Sequence, residues 1–152
     1  MILLIKNQKI AMIRFLFFFF PIFILAQNID MYISLIDEGQ MNSVKEKLPE
    51  LISKYPNSAG VIYLQALLTR DGMKSLDLYN EIIEKFPRSS FSDDASVKLG
   101  EYFYARGLYS QACKSLSQFP RKHPRYHDMQ RVIDLLVSSF QAVGQKDSAQ
   151  YY

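Results

Sequence analysis

LGEYFYARGLYSQA, residues 99–112, is the stretch that decides the fold. It sets two glycines, Gly100 and Gly107, among large side chains in otherwise helix-forming sequence. A glycine inside a helix costs about 1 kcal/mol against alanine, so each needs a structural reason. A missing side chain at Gly100 lets the backbone of a second helix approach, and Ala112 is the matching small residue there. Packed helix axes lie about 8–10 Å apart, depending on the side chains between them. Gly107 does a different job. It ends the first helix in a left-handed conformation that is cheap only for glycine. The stretch therefore predicts two antiparallel helices joined by a tight turn, with Leu99, Phe103, Tyr109, Leu116 and Phe119 filling the space between them.

The same spacing recurs along the chain. A shift of 68 residues places Leu99, Phe103, Gly107, Tyr109, Ala112, Leu116 and Pro124 on Met31, Leu35, Gly39, Met41, Val44, Leu48 and Pro56. A middle copy matches with slippage. Leu64, Leu68 and Gly72 lie 33 residues beyond Met31, Leu35 and Gly39, whereas Ser75, Tyr79 and Pro87 lie 31 beyond Val44, Leu48 and Pro56. This copy reads as two residues short in its turn. In a fourth copy, Leu136, Phe140, Gly144 and Ala149 lie 37 beyond Leu99, Phe103, Gly107 and Ala112. Such periodicity is the mark of a helical repeat array. No strand-like alternation appears.

Expected helices run from a cap at Asn28 to Glu38, then Asn42–Tyr55, Ala59–Arg70 and Lys74–Phe86. Ser92 caps the next, which ends at Ala105, followed by Tyr109–Phe119 and Asp128–Val143. Asp93 and Asp94 suit a helix N-terminus. Pro49 predicts a kink or late start in the second helix. YPNS (55–58) and FPRS (86–89) read as helix-ending loops, with Tyr55 and Phe86 tucked under them.

The Leu99-Gly100 pair, Phe103, Ala112, Leu116 and Pro124 resemble the tetratricopeptide repeat, a 34-residue helix–turn–helix unit. The resemblance implies an all-α solenoid of three repeats (about 29–56, 59–87 and 92–124) and a partial fourth (128–152). Stacked helix pairs of this kind curve around an extended concave surface, which in the family is lined by the first helix of each pair. Here that places Ile29, Ile33, Ile36 and Asp37 from the first copy on the groove, and Ile62, Ala66, Thr69 and Arg70 from the second. The third adds Asp94, Val97, Glu101 and Tyr104, and the fourth Arg131, Asp134, Ser138 and Gln141. The resemblance implies a protein or peptide in this groove and no catalysis.

The first 26 residues are chemically distinct. Lys6, Lys9 and Arg14 precede an 11-residue apolar run, Phe15 to Leu25, and then Ala26. A membrane span needs about 20 apolar residues, so residues 1–26 read as a signal peptide cleaved after Ala26. Met12 is an alternative start, and an uncleaved leader anchored in the inner membrane is the alternative topology. The remaining body, 27–152, is expected in a bacterial periplasm or at an outer membrane.

From Gln27 onward 15 basic and 15 acidic side chains balance, which gives no global electrostatic case for nucleic acid or an anionic membrane. The one cysteine, Cys113, excludes an internal disulfide framework and reads as an inert thiol. PRKHPRYHD (120–128) reads as a solvated basic loop in which Arg121, Lys122 and Arg125 form a possible anion patch. Its two histidines, His123 and His127, are separated by Pro124 and joined by no acidic or thiol cluster, so neither a metal nor a cofactor is expected.

Two functions follow. One is an exported interaction scaffold resembling the repeat modules of bacterial envelope proteins in outer-membrane assembly and cell-division or peptidoglycan coordination. The alternative is the N-terminal repeat module of a larger exported protein whose enzymatic or peptidoglycan-binding domain is missing. The fourth copy stops at Tyr152, so Leu135, Leu136, Val137 and Phe140 are expected to be only partly covered, with self-association as one consequence.

Overall fold

The structure is a computed structural model and describes residues 29–152. The leader, its cleavage point, the alternative start and the Asn28 cap lie outside the described residues. Helix α1 covers 29–37. The others are α2 (Met41–Lys54), α3 (Ala59–Leu68), α4 (Gly72–Lys85), α5 (Ser90–Ala105), α6 (Tyr109–Leu116), α7 (Phe119–Lys122), α8 (Met129–Ala142) and α9 (Lys146–Tyr151). No strand occurs among the described residues. The chain is an all-helical, tetratricopeptide-like array. The described residues divide into two compact units at Glu50/Leu51.

In the first unit, α1 ends on Gly39 at φ 81°. The Gly39 N–H donates to Ile36 O at 3.0 Å, and the Gln40 N–H donates to Leu35 O at 2.7 Å. This pairing of the last helical carbonyls needs a left-handed residue between the two donors, which is why glycine sits there. Pro49 lies inside α2 without delaying its start.

The second unit repeats the same turn twice. Gly107 has φ 72° and Gly144 φ 75°. Gly107 N donates to Tyr104 O and Leu108 N to Phe103 O, at 2.9 and 2.8 Å. Gly144 N donates to Gln141 O and Gln145 N to Phe140 O, at 3.0 and 2.9 Å.

The middle copy departs from expectation. Its turn is not shortened: residues 38–40, 69–71, 106–108 and 143–145 are all three-residue connections. Gly72 is not the counterpart of Gly39 but the first residue of α4. The equivalent position is Arg70, and no non-glycine residue among those described has a positive φ. The chain turns here without the left-handed step. Thr69 is extended at φ −75°, and Asp71 caps α4 by accepting from Met73 N at 3.0 Å and Lys74 N at 3.4 Å. The sequence slippage lies in α3 instead, which has 10 residues against 16 in α5.

Other boundaries also shift. Ser89, not Ser92, caps α5, since its extended backbone lets Oγ accept from Phe91 N at 3.3 Å. Ser92 is buried inside the helix. The helix expected to reach Phe119 stops at Leu116, and Phe119–Pro120 starts the short α7, where proline suits a first turn. Tyr55 and Phe86 are half-buried at their loops, as expected.

Helices of the second unit pack in succession, α3 on α4, α4 on α5, α5 on α6, α6 on α8 and α8 on α9. The close approach expected at Gly100 is present, but its partner is Leu116, not Ala112. A Cβ at Gly100 would lie 2.6 Å from Leu116 Cγ, and closer still to Cδ1. Val97, Cys113, Leu116, Phe119, Val132, Leu136 and Phe140 form one buried cluster beneath this crossing.

Leu136 and Phe140 are buried in that cluster, so the partial cover expected for them does not hold. Ala149 and Tyr152 pack against it. The Tyr152 ring stacks on Phe140 at 5.9 Å, and its hydroxyl donates to Ser117 O at 2.6 Å. Leu135 and Val137 remain half-buried.

Candidate interaction groove

Within the second unit, the first helices of successive pairs are neighbours: α3 touches α5 and α5 touches α8. On α5, Asp94, Lys98 and Glu101 follow the i, i+4, i+7 spacing and share one face. Tyr126, just before α8, donates its hydroxyl to Asp94 Oδ1 at 2.9 Å. Arg131 of α8 reaches back to Glu101 Oε1 at 2.5 Å, and Lys98 holds Oε2 of the same carboxylate at 3.1 Å. Asp128 lies 3.8 Å from the Arg131 guanidinium. Glu101 is thus held from two sides, and apart from the Arg131 ion pair its buried Oε1 has no partner.

Burial governs the electrostatics here. It pushes the Asp94 carboxyl above its ordinary range; the Asp93 charge adds to this, while the Tyr126 hydrogen bond, His127 and Lys98 oppose it. Tyr63 of α3 is buried, wedged against Tyr79 and Phe91 with ring centroids 5.8 and 5.6 Å away. Burial, reinforced by the Asp94 charge, raises its hydroxyl far above the usual range. Burial and then Asp94 do the same to Tyr126, and burial pushes Tyr79 up to about 12 despite a Ser75 hydrogen bond. The raised Tyr126 hydroxyl keeps its proton, so it remains a donor to Asp94.

Next to this face is an open cleft of about 390 Å³, lined by Ser90, Asp93, Asp94 and residues 122–127. The segment read as a solvated loop is partly organised. His123 Nδ1 lies 3.0 Å from Asp93 Oδ1, and its ring stacks on Phe119 at 4.7 Å. Tyr126 meets Phe119 edge-on at 5.1 Å. The aromatic Phe119 at the start of α7 gives both rings a wall.

The residues expected in the groove fall into separate places. Asp94, Glu101 and Arg131 converge as described. Ile33 is half-buried in the first unit. Thr69 is bound to its own helix through Gln65 O at 2.6 Å, and Arg70 is exposed in the turn. Tyr104 sits at the end of α5, edge-on to Tyr109 at 5.2 Å. Ser138 is half-buried and Gln141 exposed, farther along α8. Ile29, Ile62, Ala66 and Val97 are buried and therefore belong to packing, not to a groove surface. The small Ala66 and the β-branched Val97 and Ile62 fill space between neighbouring helices. The basic residues are dispersed. Arg121 donates to Gln118 Oε1 at 2.6 Å and lines a hollow with Tyr151 and Tyr152, whereas Lys122 and Arg125 line the cleft beside Asp93 and Asp94.

Sequence reading missed Tyr126 and Lys98. Lys98 was visible as an i,i+3 partner of Glu101. Tyr126 is 32 residues from Asp94, and nothing local signals that pairing. Among the described residues no group of three His, Cys, Asp or Glu side chains could hold a metal ion. Cys113 is buried, and that burial pushes its thiol up, away from nucleophilic use.

The family model of the tetratricopeptide repeat matches residues 94–126, from the acidic face of α5 through α6 and α7 to Tyr126. Repeats of this family are typically non-catalytic modules that mediate protein–protein interaction. No curated protein and no solved structure matches the chain.

Proposed function

We propose that this tetratricopeptide-repeat chain is a non-catalytic scaffold that binds a protein or peptide segment along the face of α3, α5 and α8. The observation that carries the reading is Asp94, a carboxylate kept half-buried between Tyr126 and the α5 helix although burial disfavours its charge. A group that weakens its own fold is explained when a ligand uses it. The Glu101–Arg131 pair beside it supplies both signs of charge within one contact area, which suits a segment with polar groups of both kinds.

The leader-like composition of residues 1–26 supports export, and the envelope of a bacterium is the proposed location, periplasmic or at the outer membrane. The proposed processes are outer-membrane assembly and cell-division or peptidoglycan coordination. The second reading, a repeat module of a larger exported protein, is favoured by the same leader-like composition.

Affinity capture from envelope extract tests the groove. Full-length chain should retain its partner, Asp94→Asn and Arg131→Ala should lose it by about tenfold or more, and Lys85→Ala at the far end of α4 should behave as wild type. Equal retention by all four proteins would reject this face as the binding surface.

A further inference from the structure

The second unit carries a second surface, at the edge where α3 turns into α4 and α5 into α6; Arg70 and Tyr104, expected in the groove, lie here instead. The start of α4 touches the last turns of α5. The Tyr102 ring lies over the start of α4, where a Cβ on Gly72 would come within 2.8 Å of Cε2, and its hydroxyl lies 3.8 Å from Met73 Sδ. Tyr102 meets Phe103 edge-on at 6.1 Å, and Tyr104 meets Tyr109 at 5.2 Å. Large apolar side chains stand out of this edge: Met73 is 63% exposed, Leu108 42% and Tyr104 36%. Arg70, Lys74 and Arg106 surround them and are exposed. No carboxylate among the described residues lies within ion-pair distance of these three cations. The one acid in the turns, Asp71, caps α4 and keeps its charge, so with Arg70, Lys74 and Arg106 the edge still carries a surplus of positive charge.

We propose that this edge docks on an anionic lipid surface, with Met73, Leu108 and Tyr104 entering the headgroup region and Arg70, Lys74 and Arg106 facing lipid phosphates. Aromatic and flexible apolar side chains ringed by Arg and Lys match the chemistry of a membrane interface, where amphipathic rings and basic heads are both accommodated. Basic residues near anionic lipids add attraction individually, so local clustering suffices even though the charges from Gln27 onward balance. The site is independent of the groove on α3, α5 and α8.

The test must separate insertion of this edge from tethering by the apolar residues 15–25. In the full chain, an environment-sensitive fluorophore is placed at Ser110→Cys, beside the edge, or at Lys85→Cys, at the opposite end of α4; buried Cys113 stays unlabelled under native conditions. Vesicles containing phosphatidylglycerol should blue-shift the probe at 110 and leave that at 85 unchanged. Phosphatidylcholine vesicles should give little shift. The double variant Arg70→Glu/Arg106→Glu should lower apparent affinity at the 110 probe about tenfold or more, and Met73→Ser/Leu108→Ser should abolish the blue shift. Circular dichroism confirms that these exposed changes leave the helices intact. Equal shifts at 110 and 85, no shift at 110, or a shift at 110 that survives charge reversal would each overturn the proposal.

Discussion

Asp94 shows how one residue couples stability to pH. Its folded pKa is raised above the ordinary 3.8, so the native state holds the proton more tightly than the unfolded chain. The penalty for ionising it is absent below that ordinary value and fully present above the raised one. Asp94→Asn should therefore raise the melting temperature at pH 7, and the gain should vanish as the pH falls below the usual carboxylate range. A gain that persists at low pH would mean burial is not the cause. Gly100 is the steric counterpart. Gly100→Leu drives a side chain into fully buried Leu116 and should cost about 1–3 kcal/mol in denaturant melts; an unchanged melt would place the close approach elsewhere. That Gly100 marks a crossing was legible from its setting between Leu99 and Phe103. Its partner was not, because Ala112 and Leu116 share a face of α6 and composition favours the smaller residue. Asp94 was legible only as a helix-start acid, since its hydroxyl partner is remote in sequence.

At the scale of elements, glycine was the reliable signal and periodicity the fallible one. Gly39, Gly107 and Gly144 were read as equivalent and all close the same turn, because their equivalence rests on a backbone requirement no other residue meets cheaply. Gly72 matched by apolar spacing but sits one step inside α4, and a shortened α3 mimicked a shortened turn. A helix can lose residues without changing its face pattern, so spacing alone could not locate the gap. Gly107→Ala should cost about 1–2 kcal/mol through left-handed strain alone, since no atom lies within 4 Å of the added Cβ. Arg70→Gly, at the turn that avoids the left-handed step, should bring no comparable gain. Thermal unfolding of the two variants checks both, and similar behaviour would mean the two turns are conformationally alike after all.

For the molecule as a whole, the helical class and the helix pairs were readable from repeats, while the cover over α8 was not. A short C-terminal helix looked insufficient because length was counted, whereas Tyr152 covers Phe140 by one stacked ring and one hydrogen bond. The site was half legible. Charged groups on α5 were visible, but their meeting with Tyr126 and Arg131 depends on how far α7 and its flanking turn carry the chain before α8 begins. The lone thiol turns this packing into a clock. Cys113 is shut between helices that must separate before any reagent reaches it, so the time needed to modify it records how often α6 parts from α8. With excess disulfide reagent, native protein should react orders of magnitude more slowly than denatured protein. Tyr152→Phe, which deletes only the bond to Ser117, should make the clock run faster than in wild type; an unaltered rate would show that the C-terminal ring, and not its hydroxyl, keeps the unit closed.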